Sequence, residues 1–276
     1  MSEATAIVLI HGLWLTSLCW ERWIDRYEHL GYRVLTPDWP GMDADVDALN
    51  ADPSSFASLT AEQVVDRFET AVLDLEPPPI VIGHSLGGTI TEILLDRGLG
   101  AAGVAVAAAP VQRVGEIPLT SVKAAPPALD PFRDSEPVSL TANEFHYAFA
   151  NTSTREESDD LHARYAVPAP VGVVGEHAFA RFRLRTANDA RRERRAPLLF
   201  IGFGADHVMP PWLVRPERLG SIPVTDYVEF PGRPHLPGAP GWEEVADYAL
   251  AWAVEHTPPS TRSADACTRH EKGESS

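Results

Sequence analysis

The sequence predicts an α/β fold: a mostly parallel sheet of about six strands with helices on both faces and an inserted helical cap. Three observations carry that expectation. Short apolar runs recur along the chain, amphipathic segments lie between them, and one long interval breaks the alternation. Runs that are apolar without a break suit strands covered on both faces, and parallel neighbours need a crossover between them.

The expected strands are Ala6–Ile10, Arg33–Thr36, Ile80–Ile82, Val104–Ala108, Leu198–Ile201 and Tyr227–Phe230. Between the first two, Trp20, Trp23, Ile24, Tyr27 and Leu30 fall at helical spacing, with Ser17 as N-cap and Gly31 as the stop. Thr60 and Gln63 read as a capping box ahead of Val64, Val65, Phe68, Val72 and Leu75. Ile90, Ile93 and Leu94 mark a helix after the third strand, and Trp242, Val245, Ala249 and Trp252 mark one near the end.

Residues 111–190 are too many for a simple crossover and read as the cap. Its first part, Pro118–Pro137, is proline-rich loop; helices follow around Thr141–Ala150, Glu156–Tyr165 and His177–Ala190. The core is then 1–110 together with 191–257. The polar, aperiodic stretch 258–276 is expected to be disordered.

A net charge of −16 and a pI near 5.0 repel phosphate backbones and anionic lipid, so neither nucleic acid nor a membrane is an expected partner. The chain shows no signal-peptide pattern and no apolar run of about 18 residues. It reads as cytoplasmic, a monomer or homodimer. Cys19 and Cys267 are far apart, which argues against a disulfide framework or a metal site.

The chemistry concentrates at GHSLG, Gly83–Gly87, set between a strand and a helix. A serine on so sharp a turn needs neighbours without side chains, and Gly83 and Gly87 meet that need. Ser85 is therefore the expected nucleophile, with the Leu86 N–H at the helix start facing a developing oxyanion. A serine hydroxyl needs a base and a group to orient that base. His84, adjacent on the turn, should diverge from Ser85 and pack beside it.

The base is expected at His235, in the loop after the last strand, at the sheet edge where ligands collect in open α/β folds. Asp206, just past the strand before it, is the expected orienting acid. His207, His146, His162 and His177 are weaker candidates for the base, and Asp226 and Glu229 are less well placed as the acid. The turn after the first strand, LIHGLW, supplies Leu13 as second oxyanion donor, with Trp14 at the pocket rim. In the cap, Phe145 and Phe149 are candidate substrate contacts. Phe179, Phe182, Arg181, Arg183 and Arg185 read mainly as cap core and solvated face.

With these motifs in order, the chain resembles the α/β-hydrolase superfamily over roughly residues 5–256, most of all its small carboxylesterases. The resemblance implies a serine hydrolase without cofactor, acting on a small-molecule ester through Ser85, Asp206 and His235. Leu13 and Leu86 would be the oxyanion donors. The chain begins close to what is usually the family's third strand, so no leading hairpin is expected. Ser85 argues against relatives that place an aspartate at the turn. No lysine lies near His235 in sequence, unlike most hydroxynitrile lyases of the group. Carbon–carbon bond hydrolases and perhydrolases share the scaffold and the same triad, and the motifs do not separate them. Non-catalytic receptors share the scaffold too, but a binding module has less need for a full triad and both oxyanion loops.

Overall fold

Six strands pair side by side in one direction: β1 (Ala6–Ile10), β2 (Arg33–Leu35), β3 (Ile80–His84), β4 (Ala102–Val106), β5 (Leu198–Phe203) and β6 (Asp226–Phe230). Their order across the sheet is β2-β1-β3-β4-β5-β6. The computed structural model describes residues 6–108, 119–124, 136–170, 172–173, 195–214 and 226–257. Every residue of β1, β3, β4 and β5 is buried, while β2 and β6, at the sheet edges, are partly open. That is the burial their continuous apolar runs require.

The α/β fold with a parallel six-stranded sheet is thus as the sequence predicts, with shifted strand ends. β3 runs on through His84. β4 stops at Val106, whose carbonyl takes the Ser85 N–H at 2.8 Å, and Ala107, whose N–H still bonds the Ile201 carbonyl of β5 at 2.8 Å, has a φ of 48°.

The helices are α1 (Glu21–His29), α2 (Val46–Ala51), α3 (Ala61–Leu73), α4 (Leu86–Asp96), α5 (Leu119–Ala124), α6 (Ala142–Phe149), α7 (Arg155–Tyr165), α8 (Pro211–Val214) and α9 (Trp242–His256). The Thr60–Gln63 capping box opens α3 as expected. Ser17 is not a cap: the Thr16 hydroxyl accepts the Leu18 N–H and starts a single 3-10 turn, Ser17–Trp20, ahead of α1. Leu30, read as part of the buried stripe, is 58 % exposed because it lies past the last helical turn. α4 is buried along its whole length, which seats the turn before it firmly against the sheet.

Within the interval read as the cap, α5 replaces part of the expected proline-rich loop, and α6 and α7 fall on the expected helices. The helix expected over His177–Ala190 and the tail 258–276 lie outside the described residues. Among the described residues, no helix is long and apolar enough to cross a membrane.

Because all strands run the same way, the loops after β1, β3, β5 and β6 open at one edge of the sheet. Neighbouring strands stand about 4.8 Å apart, which puts β6 roughly 14 Å from β3. Extended chain covers about 3.3–3.6 Å per residue, so Pro231–His235 is long enough to fold back over β5 and β4 toward the turn after β3.

Candidate active site

Ser85 sits between β3 and α4 with φ 53° and ψ −120°, a left-handed conformation that a residue with a Cβ adopts only under constraint. The glycines around it show that constraint. A Cβ on Gly83 would lie 2.0 Å from the Gly87 carbonyl oxygen, and one on Gly87 would lie 2.1 Å from the Ile10 oxygen. Strand, turn and helix touch backbone to backbone. The serine is lifted out of the sheet yet only 6 % exposed, so its surroundings are largely shielded from water.

His235 and Asp206 meet beside this turn. His235 Nδ1 lies 2.6 Å from Asp206 Oδ2, and both residues are buried. The other carboxylate oxygen, Oδ1, accepts the N–H groups of Val208 (2.7 Å) and Met209 (2.8 Å). Two donors on Oδ1 fix the carboxylate plane and aim Oδ2 at the imidazole. Since a carboxylate only accepts, Nδ1 is the nitrogen that carries the proton in the neutral imidazole, which leaves the lone pair on Nε2. Nε2 is buried and has no hydrogen-bond partner among the described residues. Ser85 Oγ is therefore not hydrogen-bonded to it in this structure.

The loop carrying His235 is pinned nearly residue by residue. Gly204 N–H bonds the Phe230 carbonyl and Ala205 N–H that of Arg233, at 2.9 and 3.0 Å. Leu236 N–H bonds the Phe149 carbonyl at 3.0 Å, and the Trp23 indole N–H bonds that of Pro237 at 3.1 Å. Arg233 folds away onto Pro240 and Glu244 at the start of α9.

His84 does diverge from the serine, and it takes a specific partner: its Nε2–H donates to the His235 carbonyl at 2.8 Å, with the two rings 4.6 Å apart. Burial first, and then the neighbouring His235, hold the His84 imidazole well below its ordinary pKa, so it is neutral. His11 is likewise lowered, chiefly by burial; it bonds the Gly12 carbonyl and stacks on Trp39 at 4.9 Å.

Of the two expected oxyanion donors, Leu86 is the first residue of α4, and Leu13 lies in the loop after β1. Neither N–H has an acceptor among the described residues. Gly12 brings the two loops together: a Cβ there would fall 2.8 Å from Ser85 Cβ. Trp14 is buried rather than at a rim, with its indole N–H on the Val138 carbonyl at 2.9 Å. Phe149 reaches the site edge-on to His235, 4.9 Å between ring centres, whereas Phe145 stacks one layer behind it.

The remaining candidates are elsewhere. His207 Nδ1–H bonds the Tyr147 carbonyl, tying α6 to the Asp206 loop, and His162 bonds the Leu140 carbonyl. His146 lies on α6; His177, Phe179, Phe182 and the arginines at 181, 183 and 185 lie outside the described residues. Asp226 starts β6, at the far end of the sheet, and accepts the Trp252 indole N–H.

The profile of the alpha/beta hydrolase family matches residues 7–248. No curated protein matches the sequence. Among solved structures, the chain is similar to an extracellular alpha/beta-hydrolase from a Paenibacillus species, at 21% identity and TM-score 0.68 over 90% of this chain and 98% of that one. It is similar to a methylesterase from Arabidopsis, at 17% identity and TM-score 0.64 over 90% and 98%. It is also similar to a pyrethroid hydrolase from Sphingobium faniae, at 20% identity and TM-score 0.64 over 91% and 97%.

Proposed function

The chain belongs to the alpha/beta hydrolase family, and from that premise we propose that it is a serine hydrolase that cleaves a carboxylic ester. The observation that carries the reading is the buried Asp206–His235 pair, 2.6 Å apart, with the imidazole's other nitrogen unpaired beside the strained serine turn. A lone pair kept free in a buried place is what a general base needs. Solved neighbours described as a methylesterase and a pyrethroid hydrolase agree with an ester substrate, although at their identities the likeness is one of fold.

In this reading Ser85 Oγ attacks the ester carbonyl carbon as His235 Nε2 takes its proton. Asp206 stabilises the imidazolium and keeps it oriented. The negative charge gathering on the carbonyl oxygen is met by the N–H groups of Leu13 and Leu86, each contributing about 3 kcal/mol to the transition state. His235 returns the proton to the leaving alcohol oxygen as the C–O bond breaks, leaving an acyl-enzyme. Water then attacks the acyl carbon with His235 again as base, and the acid departs as Ser85 recovers its proton.

The test is turnover of short p-nitrophenyl esters by the protein and by Ser85→Ala. The expected result is turnover by the first and near-complete loss in the second. Activity retained by Ser85→Ala would overturn the reading.

A further inference from the structure

Three residues other than glycine have positive φ among the described residues: Ser85, Ala107 and Trp14. The first two form the serine turn and the end of the strand that supports it. Trp14, at φ 62°, stands in the other loop, directly after Leu13. Glycine takes that conformation freely, whereas a bulky residue must be held there.

Trp14 is held from both sides by chain that follows β4. Its indole N–H donates to the Val138 carbonyl at 2.9 Å, and its own carbonyl accepts the Val167 N–H at 3.1 Å. Those two segments are themselves joined, Val138 and Ala169 exchanging both backbone hydrogen bonds at 2.8 Å. The ring meets Phe149 edge-on at 6.4 Å, and Phe149 in turn meets His235. On the other side of Leu13, Gly12 is pressed against Ser85 and His84. The Leu13 peptide is thus fixed at one end by the serine turn and at the other by the Val138–Ala169 pair, with Trp14 as the link.

We propose that Trp14 is a positioning residue, whose bonds to Val138 and Val167 aim the Leu13 N–H at the oxyanion, so that the donor is in place only while the Val138–Ala169 pair is seated. This rests on the acyl-transfer reading above. It assigns Trp14 to the transition state and not to substrate contact.

The experiment compares the protein with Trp14→Phe, which keeps a ring but loses the indole donor, and Trp14→Gly, which also relaxes the backbone. Three quantities are read on a p-nitrophenyl ester: kcat, KM, and the inhibition constant of an aryl trifluoromethyl ketone, whose adduct with serine places an oxyanion in the hole. Loss of one oxyanion donor lowers kcat by about 10²–10³, so a misaimed donor should lower it by about ten- to hundredfold. KM should stay within about twofold, and the inhibition constant should rise by the factor by which kcat/KM falls. KM and the inhibition constant do not depend on how much of the variant is correctly folded, so partial misfolding does not mimic the result. Unchanged kcat, a raised KM with kcat unchanged, or an unchanged inhibition constant would each overturn the proposal. Absence of turnover by the unaltered protein would instead overturn the acyl-transfer reading.

Discussion

His84 donates its Nε2–H to the main-chain carbonyl of His235 at 2.8 Å, so the histidine next to the serine holds the loop of the histidine that follows β6. The bond is wholly buried, and that carbonyl has no water to turn to if it is broken. His84→Leu removes the donor, whereas His84→Gln keeps an N–H at similar reach. A misplacement of about 1 Å in a catalytic group costs up to about 10²-fold. His84→Leu is therefore expected to lose about ten- to hundredfold in kcat with KM little changed, and His84→Gln to recover most of it. Wild-type kcat in the leucine variant sinks this assignment.

The same residue gives acid sensitivity, with a sign that follows from its depressed pKa. In the unfolded chain His84 and His11 titrate near 6.5; in the folded protein burial holds both lower. As pH falls below about 6.5 the unfolded state takes up protons that the native state refuses. Stability then declines by up to about 1.4 kcal/mol per pH unit for each histidine, until the native pKa is reached. Above pH about 7.5 neither contributes a slope. Urea midpoints between pH 7.5 and 5.5 should fall, and His84→Gln should flatten the fall. An unaltered slope in that variant contradicts the neutral, buried His84.

Much of this was readable in advance, for reasons that differ from residue to residue. The strands are legible because a doubly covered strand must be apolar without interruption, as AIVLI and LLFI are. The meeting of Asp206 and His235 beside the Ser85 turn is legible because each of the three follows a strand and parallel strands deliver their ends to one edge. The partner of His84 is not legible: the His235 carbonyl is 151 positions away, and no local pattern encodes that bond. Trp14 is similar, since indole and carbonyl find partners only once the chain at Val138 and Val167 folds over the loop. Two capping boxes, Thr141–Glu144 and Thr154–Glu157, stand in the sequence as T-x-x-E and mark locally where α6 and α7 begin. Ser17 misled because a hydroxyl residue on either side of a helix start looks alike until backbone geometry selects Thr16.

Asp206→Asn separates orientation from architecture. Asn keeps an oxygen for the Val208 and Met209 N–H groups, so the turn after β5 should survive. Toward His235 it presents an amide N–H where a carboxylate oxygen was, forcing Nδ1 to accept and Nε2 to carry the proton. A protonated Nε2 cannot take the Ser85 proton. Loss of the acid in Ser-His-Asp enzymes costs of order 10⁴ in kcat, and a fall of that size is expected with thermal stability nearly retained. A fall below about tenfold means that Asp206 does not set the tautomer.

The serine turn can be tested through glycines that look alike in sequence. Gly87→Ala puts a methyl group 2.1 Å from the Ile10 carbonyl oxygen, and neither β1 nor α4 can yield without moving the other. Gly31→Ala meets nothing within 4 Å, and its only penalty is the positive φ of 89°. That backbone penalty is about 1–2 kcal/mol, whereas overpacking a rigid site costs about 1–3 kcal/mol and rises further when backbone is struck. Gly87→Ala should therefore lower the urea unfolding free energy by at least about 3 kcal/mol and abolish turnover, while Gly31→Ala costs about 1–2 kcal/mol and leaves kcat unchanged. If Gly87→Ala proves as mild as Gly31→Ala, the contact between the first turn of α4 and the end of β1 is looser than these distances require. The closely packed turn would then no longer explain why Ser85 keeps its left-handed backbone.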